Sequence, residues 1–145
     1  MTCDQNRGGR TPRFLEYKLD DHWRALAGKS DADNDILSLR TAGANDLWFH
    51  VRGVPGSHVI LQGPAGEEPP VALVKQAAAI AAWHSKARNA GIVPVACTQA
   101  KNVSKPRGAK PGTVAIRKEK IIKVRPALPA ERVVKDGGSG TKATE

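Results

Sequence analysis

Aromatic side chains are scarce in this sequence: there are six, and Trp23, Trp48 and Trp83 supply half of them, so each Trp needs its own explanation. Cysteine is scarcer still. Cys3 lies in a polar stretch and Cys97 in an apolar run, a pair poorly suited to a structural disulfide, and both are read as free thiols in a reducing compartment. No apolar run approaches the roughly 18 residues that a bilayer-spanning helix requires. The opening MTCDQNRGGR has no hydrophobic stretch able to serve as a signal peptide, so a cytoplasmic protein with no membrane partner is expected. The phosphate-cradling G-x-x-x-x-G-K-[ST] loop is missing, as are G-x-S-x-G, H-E-x-x-H and C-x-x-C, which sets aside the enzyme classes those motifs mark.

Acidic residues are nearly absent from one segment. Residues 101–125 hold nine Lys and Arg against the single acid Glu119, whereas residues 1–100 hold eleven basic and ten acidic side chains, so the segment accounts for most of the formal charge of +9. A local excess of this kind focuses a positive field whose natural partner is a polyanion, nucleic acid above all. The plainer alternative is a solubilising surface. At 145 residues there is room for one domain with a modest core and not for two.

Composition places flexible tails at 1–13 and 127–145, leaving 14–126 as the folded domain. FLEYKL at 14–19 alternates as a strand does, and the following DD suggests a turn before HWRALAGK. Residues 33–41 predict a short helix capped by Asp33 or Asn34. In LWFHVR at 47–52, Leu47, Phe49 and Val51 share one strand face and Trp48, His50 and Arg52 the other. Pro55 and Gly56 suit a type II turn that returns SHVILQ as an antiparallel partner. Residues 71–88 predict one long helix with an alanine-lined stripe, Pro70 in its first turn, Glu67 and Glu68 near its positive end, and Lys86 and Arg88 near its negative end. IVPVAC follows as a buried strand and residues 98–112 as a polar connection; TVAIRK and KIIKVR are two more strands joined at Lys118–Lys120. The expected fold is a single α+β domain, a largely antiparallel sheet with one long helix on one face and the other face left for a ligand.

Three groups of residues bear on chemistry. Trp48 either stacks on a base, with Arg52 exposed beside it for a phosphate, or fills a second small core. In KPRGAKPG at 105–112, Gly108 and Gly112 leave backbone N–H groups open while Lys105, Arg107 and Lys110 gather cations, a pattern suited to phosphate contact or to a merely solvated turn. His50, Ser57 and His58 could approach across a hairpin as a hydrolytic site, but a structural His58 bonding across the hairpin is the simpler reading. No third ligand is evident for a metal, and Asp46 is better placed for capping. No catalytic residue, metal or cofactor is expected.

NDLWFHVRGVPGSHVIL at 45–61 resembles the signature of the NFACT-R domain, the RNA-binding part of NFACT proteins of ribosome-associated quality control, also known in bacteria as fibronectin-binding protein A-like. GKSDADNDILSLRTA, the run ending AAWHSKAR, VPVACTQAKNVSKPRGAKPGTV and the final KIIKVRP resemble the corresponding stretches in the same order. The resemblance covers 14–126 and carries over to Asp46, Trp48, His50, Pro55, Gly56, Ser57, His58, Lys105, Gly108, Lys110, Pro111 and Gly112. It implies binding to tRNA or the large ribosomal subunit during rescue of stalled translation. Full-length members carry a glycosylase-like domain, a helix-hairpin-helix and a coiled coil ahead of this module. Carboxy-terminal tail synthesis by these residues alone is therefore not expected, and a protein partner supplying those functions is. An accessory role in tRNA modification linked to thiolation, or a small His-dependent RNA hydrolase, is the alternative. The residues expected to contact RNA are Trp48, His50, Arg52, Ser57, His58, Lys101, Lys105, Arg107, Gly108, Lys110, Gly112 and Arg117.

Overall fold

Alternating apolar and polar residues, which place successive side chains on opposite faces of a strand, build the sheet seen in the computed structural model, which describes residues 13–129, 131–135 and 142–144. In chain order the strands are β1 (Phe14–Lys18), β2 (Arg24–Gly28), β3 (Leu47–Val51), β4 (Val59–Gln62), β5 (Val93–Gln99), β6 (Val103–Ser104), β7 (Ala115–Ile116), β8 (Lys120–Val124), β9 (Glu131–Lys135) and β10 (Lys142–Thr144). Eight of them form one sheet in the order β10-β9-β1-β2-β4-β3-β5-β8, and β6 pairs with β7 apart from it. Every pairing is antiparallel. Asp20 fixes the first hairpin by accepting hydrogen bonds from the backbone N–H groups of His22 and Trp23, the local bonding that suits Asp to turns.

Among the described residues the α-helices are two and short, rather than one and long. α1 (Asp31–Ile36) runs directly into a π-helical stretch, Leu37–Thr41, and α2 spans Val71–Trp83. The cap of α1 is Ser30, whose Oγ accepts from the Asp33 N–H at 3.1 Å, and not Asp33 or Asn34, which lie buried inside the helix. α2 stops five residues before the expected end at Arg88. Ser85 Oγ donates to the Ala82 carbonyl, and Lys86 N–H donates to the Pro55 carbonyl, which turns the chain onto the β3–β4 connection before another helical turn can form. Lys86 and Arg88 therefore lie beyond the helix.

α2 packs Leu73, Ala77, Ala78, Ile80, Ala81 and Ala82 against one face of the sheet, where Tyr17, Phe49, Val51, Val59, Leu61, Val93 and Val95 meet it. The opposite face, expected to be open, is partly covered. Leu26, Trp48 and Ile60 point there and join Leu37 and Val103 in a second core, roofed by the π-helical stretch and the β6–β7 pair, with Val114 and Ile116 packed against it. Cys97 is a free thiol in the first core, and burial lifts its pKa to about 11.

Three further expectations need correction. The turn after β3 has its left-handed residue at Gly53 (φ +86°) and not at Gly56. Gly56 is required for a different reason: it bridges to Ser85, and a Cβ there would lie 2.7 Å from the Ser85 Cβ. β7 and β8 do not form a hairpin, because β7 pairs with β6 while β8 crosses to pair with β5, with Lys118 at φ +58° between them. The stretch from 127, expected as a tail, contributes β9 and β10 to the sheet beyond β1. The N-terminal tail lies outside the described residues apart from Arg13, as does Cys3.

Candidate nucleic-acid interface

Three rings meet under the roof of the second face. Trp48 and His50 point the same way from β3, stacked with ring centroids 6.0 Å apart, and His58 lies edge-on to both at 5.2 and 5.3 Å. Ser38, in the π-helical stretch, joins them: its Oγ accepts from the Trp48 indole N–H at 2.9 Å and lies 2.8 Å from His58 Nδ1. With one proton and two lone pairs, the hydroxyl that accepts from the indole can still serve His58 Nδ1 in either tautomer. Burial together with the charge of His50 pushes the His58 pKa down to about 4, against the opposing influence of Asp35 and of backbone at Gly112 and Asn34. Burial lowers the pKa of His50 as well. The cluster is a neutral, hydrogen-bonded structural unit.

The basic loop at 105–113 is fastened to that unit through Asp35. The Lys105 ammonium pairs with Asp35 Oδ2 at 3.0 Å and also donates to the carbonyls of Lys110 and Thr113. Asp35 Oδ1 accepts the Gly112 N–H at 3.1 Å. Gly112 (φ +86°) and Gly108 (φ +77°) hold left-handed conformations, and a Cβ on Gly112 would fall 2.9 Å from the Asp31 carboxyl carbon. All three Lys105 donors are thus used inside the protein. Arg107 and Lys110 remain at the surface, on a loop whose two ends are tied down.

Register places further cations on this side of the sheet. Arg52 donates its N–H to the Pro94 carbonyl, and Pro94 is opposite Lys123, so Arg52, Pro94 and Lys123 form a cross-strand row on the same face as His50. Arg52 is exposed and reaches Glu119 at 3.8 Å. Arg117, Lys118, Lys123 and Arg125 are exposed too, as is Lys120, which alternates to the α2 side of β8 with Ile122 and Val124, and with Arg107 and Lys110 they have no carboxylate within ion-pair distance among the described residues. Lys101 is exposed at the far end of β5, its N–H held by the Ala44 carbonyl.

Of the residues singled out from the sequence, Arg52, Lys101, Arg107, Gly108, Lys110 and Arg117 are exposed, and Lys101 lies near Arg117, whose N–H bonds the Asn102 carbonyl. Trp48, at 2% exposed, fills the second core and offers no ring face to a base; His58, also 2% exposed, is equally inaccessible. Ser57 does not face His58. Its hydroxyl donates to the Gly28 carbonyl at 2.8 Å, so the arrangement needed for a His-activated nucleophile is not formed. Among the described residues no group of three or more His, Cys, Asp or Glu side chains is placed to hold a metal ion. Sequence reasoning missed Asn34, Asp35 and Ser38. Asn34 Oδ1 accepts the His58 backbone N–H at 3.1 Å, so these three residues of one helical segment hold both the rings and the loop. The four-residue spacing of Asn34 and Ser38, which puts two polar side chains on one helix face, was the available signal.

Residues 13–118 match the family described as the NFACT protein RNA binding domain. The chain is 39% identical over 124 residues to the Rqc2 homolog RqcH of Bacillus subtilis, covering 86% of this chain and 21% of that protein. It is 40% identical over 101 residues to the Rqc2 homolog RqcH of Streptococcus suis, covering 70% of this chain and 18% of that one. Its fold is similar to the C-terminal part of the fibronectin/fibrinogen-binding protein of Streptococcus suis, with a TM-score of 0.75 and 36% identity over 81% of this chain and 47% of the other. The chain spans about a fifth of the length of the curated relatives it matches.

Proposed function

This chain belongs to the NFACT RNA-binding domain family, and from that premise we propose that it is a non-catalytic module that grips the phosphate backbone of tRNA or large-subunit ribosomal RNA. Arg107 and Lys110 supply the central contacts. Arg52, Lys101, Arg117 and Lys123 extend them, and the open backbone of Gly108, where a Cβ would meet nothing within 4 Å, lets a phosphate approach closely. The observation that carries this reading is the set of exposed cations between 107 and 125 with no carboxylate partners among the described residues, two of which, Arg107 and Lys110, sit on a loop that Asp35 holds in place. Similarity to Rqc2 homologs supports a role in ribosome-associated quality control in the cytoplasm. A His50, Ser57 and His58 hydrolase finds no support in the geometry, since the hydroxyl and the His58 ring are both engaged in structural bonds.

Titration of labelled tRNA and of purified large subunits at several salt concentrations tests the proposal. If four to six phosphates are neutralised, log affinity falls against log salt with a slope of roughly 3 to 4. Arg107→Ala with Lys110→Ala flattens that slope by one to two units and weakens binding to all sequences alike. Binding that ignores salt, or a double variant indistinguishable from the parent, rules the loop out.

A further inference from the structure

A second feature adjoins the basic loop. Residues 29–31, 55–57 and 83–88, distant in sequence, converge on a cleft of about 530 Å³, within the range of roughly 300–1,000 Å³ typical of small-ligand sites. Asp31 belongs both to its wall and to the contact with Gly112, so cleft and loop are continuous. Inside it, Arg88 lies over the Trp83 indole with its guanidinium carbon 4.8 Å from the ring centroid, and both Arg88 and Lys86 are exposed. An exposed arginine held over an indole has its guanidinium restrained beside an aromatic surface, and a guanidinium plane so placed can serve as a stacking platform for a nucleobase.

We propose that this cleft receives one unpaired nucleotide of the bound RNA, its base stacked on the Arg88 guanidinium and its phosphate at Lys86. The inference rests on the RNA-binding reading above and adds to it the kind of RNA feature that is read. On the α1 side the charge of Lys29 is offset by Asp31, whereas Lys86 and Arg88 have no acid beside them in the lining, which sets the phosphate at the Lys86 rim and the base inward. Ser57 donates to Gly28, and Asn34 is engaged by His58, so the cleft has few groups left to read base edges. Recognition is therefore by stacking and tolerant of base identity. The competing role for Lys86 and Arg88, complementing the negative end of α2, affects stability but not the choice of RNA.

Fluorescence anisotropy with the full chain and two RNA hairpins, identical except for one bulged nucleotide, distinguishes these roles. The parent protein is expected to prefer the bulged hairpin by about fivefold or more, whichever base is bulged. Arg88→Lys keeps the charge and removes the plane: the preference disappears while affinity for the unbulged stem stays within about twofold, and thermal melting shows the variant folded. A parent with no preference, or an Arg88→Lys variant that retains it, overturns the cleft assignment and leaves the basic loop untouched. Failure to bind either hairpin overturns the RNA reading itself. AMP alone binding as tightly as the bulged hairpin identifies the site as one for free nucleotide and refutes the RNA-borne source.

Discussion

His58 shows how one side chain couples the fold to pH. Its ring titrates near 6.5 in the unfolded chain and near 4 in the fold, chiefly because burial penalises the charged form. As pH falls the unfolded state takes up the proton first, so this contribution to stability is whole above pH 6.5 and is lost on approach to pH 4. At 1.36 kcal/mol per unit the loss is about 3 kcal/mol. Urea midpoints across that range should decline more steeply for the parent than for His58→Asn, which keeps an acceptor for Ser38 and cannot titrate; equal slopes would assign the acid sensitivity elsewhere. Trp48 is the companion case. Trp48→Phe leaves the Ser38 hydroxyl without its indole donor inside an apolar layer, and the expected cost is about 1–3 kcal/mol of unfolding free energy. Its salt dependence of RNA binding should match the parent's, because the indole faces the core.

At the scale of elements, the loop at 105–113 acts through α1. Asp35 bonds both Lys105 and Gly112, so an acidic residue beside the basic loop is the one that holds it. Two arguments then oppose each other for Asp35→Ala. Removing a negative charge from a basic surface strengthens phosphate binding, whereas freeing the loop imposes an ordering cost on Arg107 and Lys110 when RNA binds. Surface charges at this range contribute little in salt, so the ordering cost should dominate. Affinity is expected to fall several-fold at 150 mM salt while amide exchange at Gly112 accelerates, and tighter binding by the variant would show that loop order is unimportant. Gly112→Ala tests the same attachment from the other side. A left-handed φ and a Cβ 2.9 Å from the Asp31 carboxyl carbon should destabilise the protein by about 1–3 kcal/mol.

For the whole molecule, the position of charge matters more than its amount. Lys123 lies on the sheet face opposite α2, beside Pro94 and in the row with Arg52, while Lys75 is exposed on α2 itself. Lys123→Glu and Lys75→Glu change net charge equally. If RNA lies along the loop side, the first weakens binding and lowers the salt slope by about one unit or more, and the second changes both little. Equal effects from the two reversals would mean that a diffuse field, with no defined face, attracts the RNA. Among the described residues no helix is long and apolar enough to cross a membrane.

Local patterns determined most of the elements. Period-two alternation in FLEYK and LWFHV, the apolar runs VILQ and VPVACTQ, and the alanine stripe of 71–83 each identify their structure with no knowledge of neighbours, because each signal is a periodicity within one segment. The charge imbalance of 101–125 was legible for the same reason. What depended on contacts between distant segments was not: α2 ends at Trp83 because Pro55 and Gly56 lie beside it, and β8 leaves β7 because β5 offers a longer partner. The fate of Trp48 and Lys105 was decided in the same manner. Alternation put Trp48 on the correct face, but only the packing of the π-helical stretch and β6 over that face buried it. Composition likewise marked Lys105 as one of three equivalent cations, and only the approach of Asp35 across the fold separated it from Arg107 and Lys110. Burial and ion pairing depend on which surfaces meet, and a strand or loop taken alone does not contain that information.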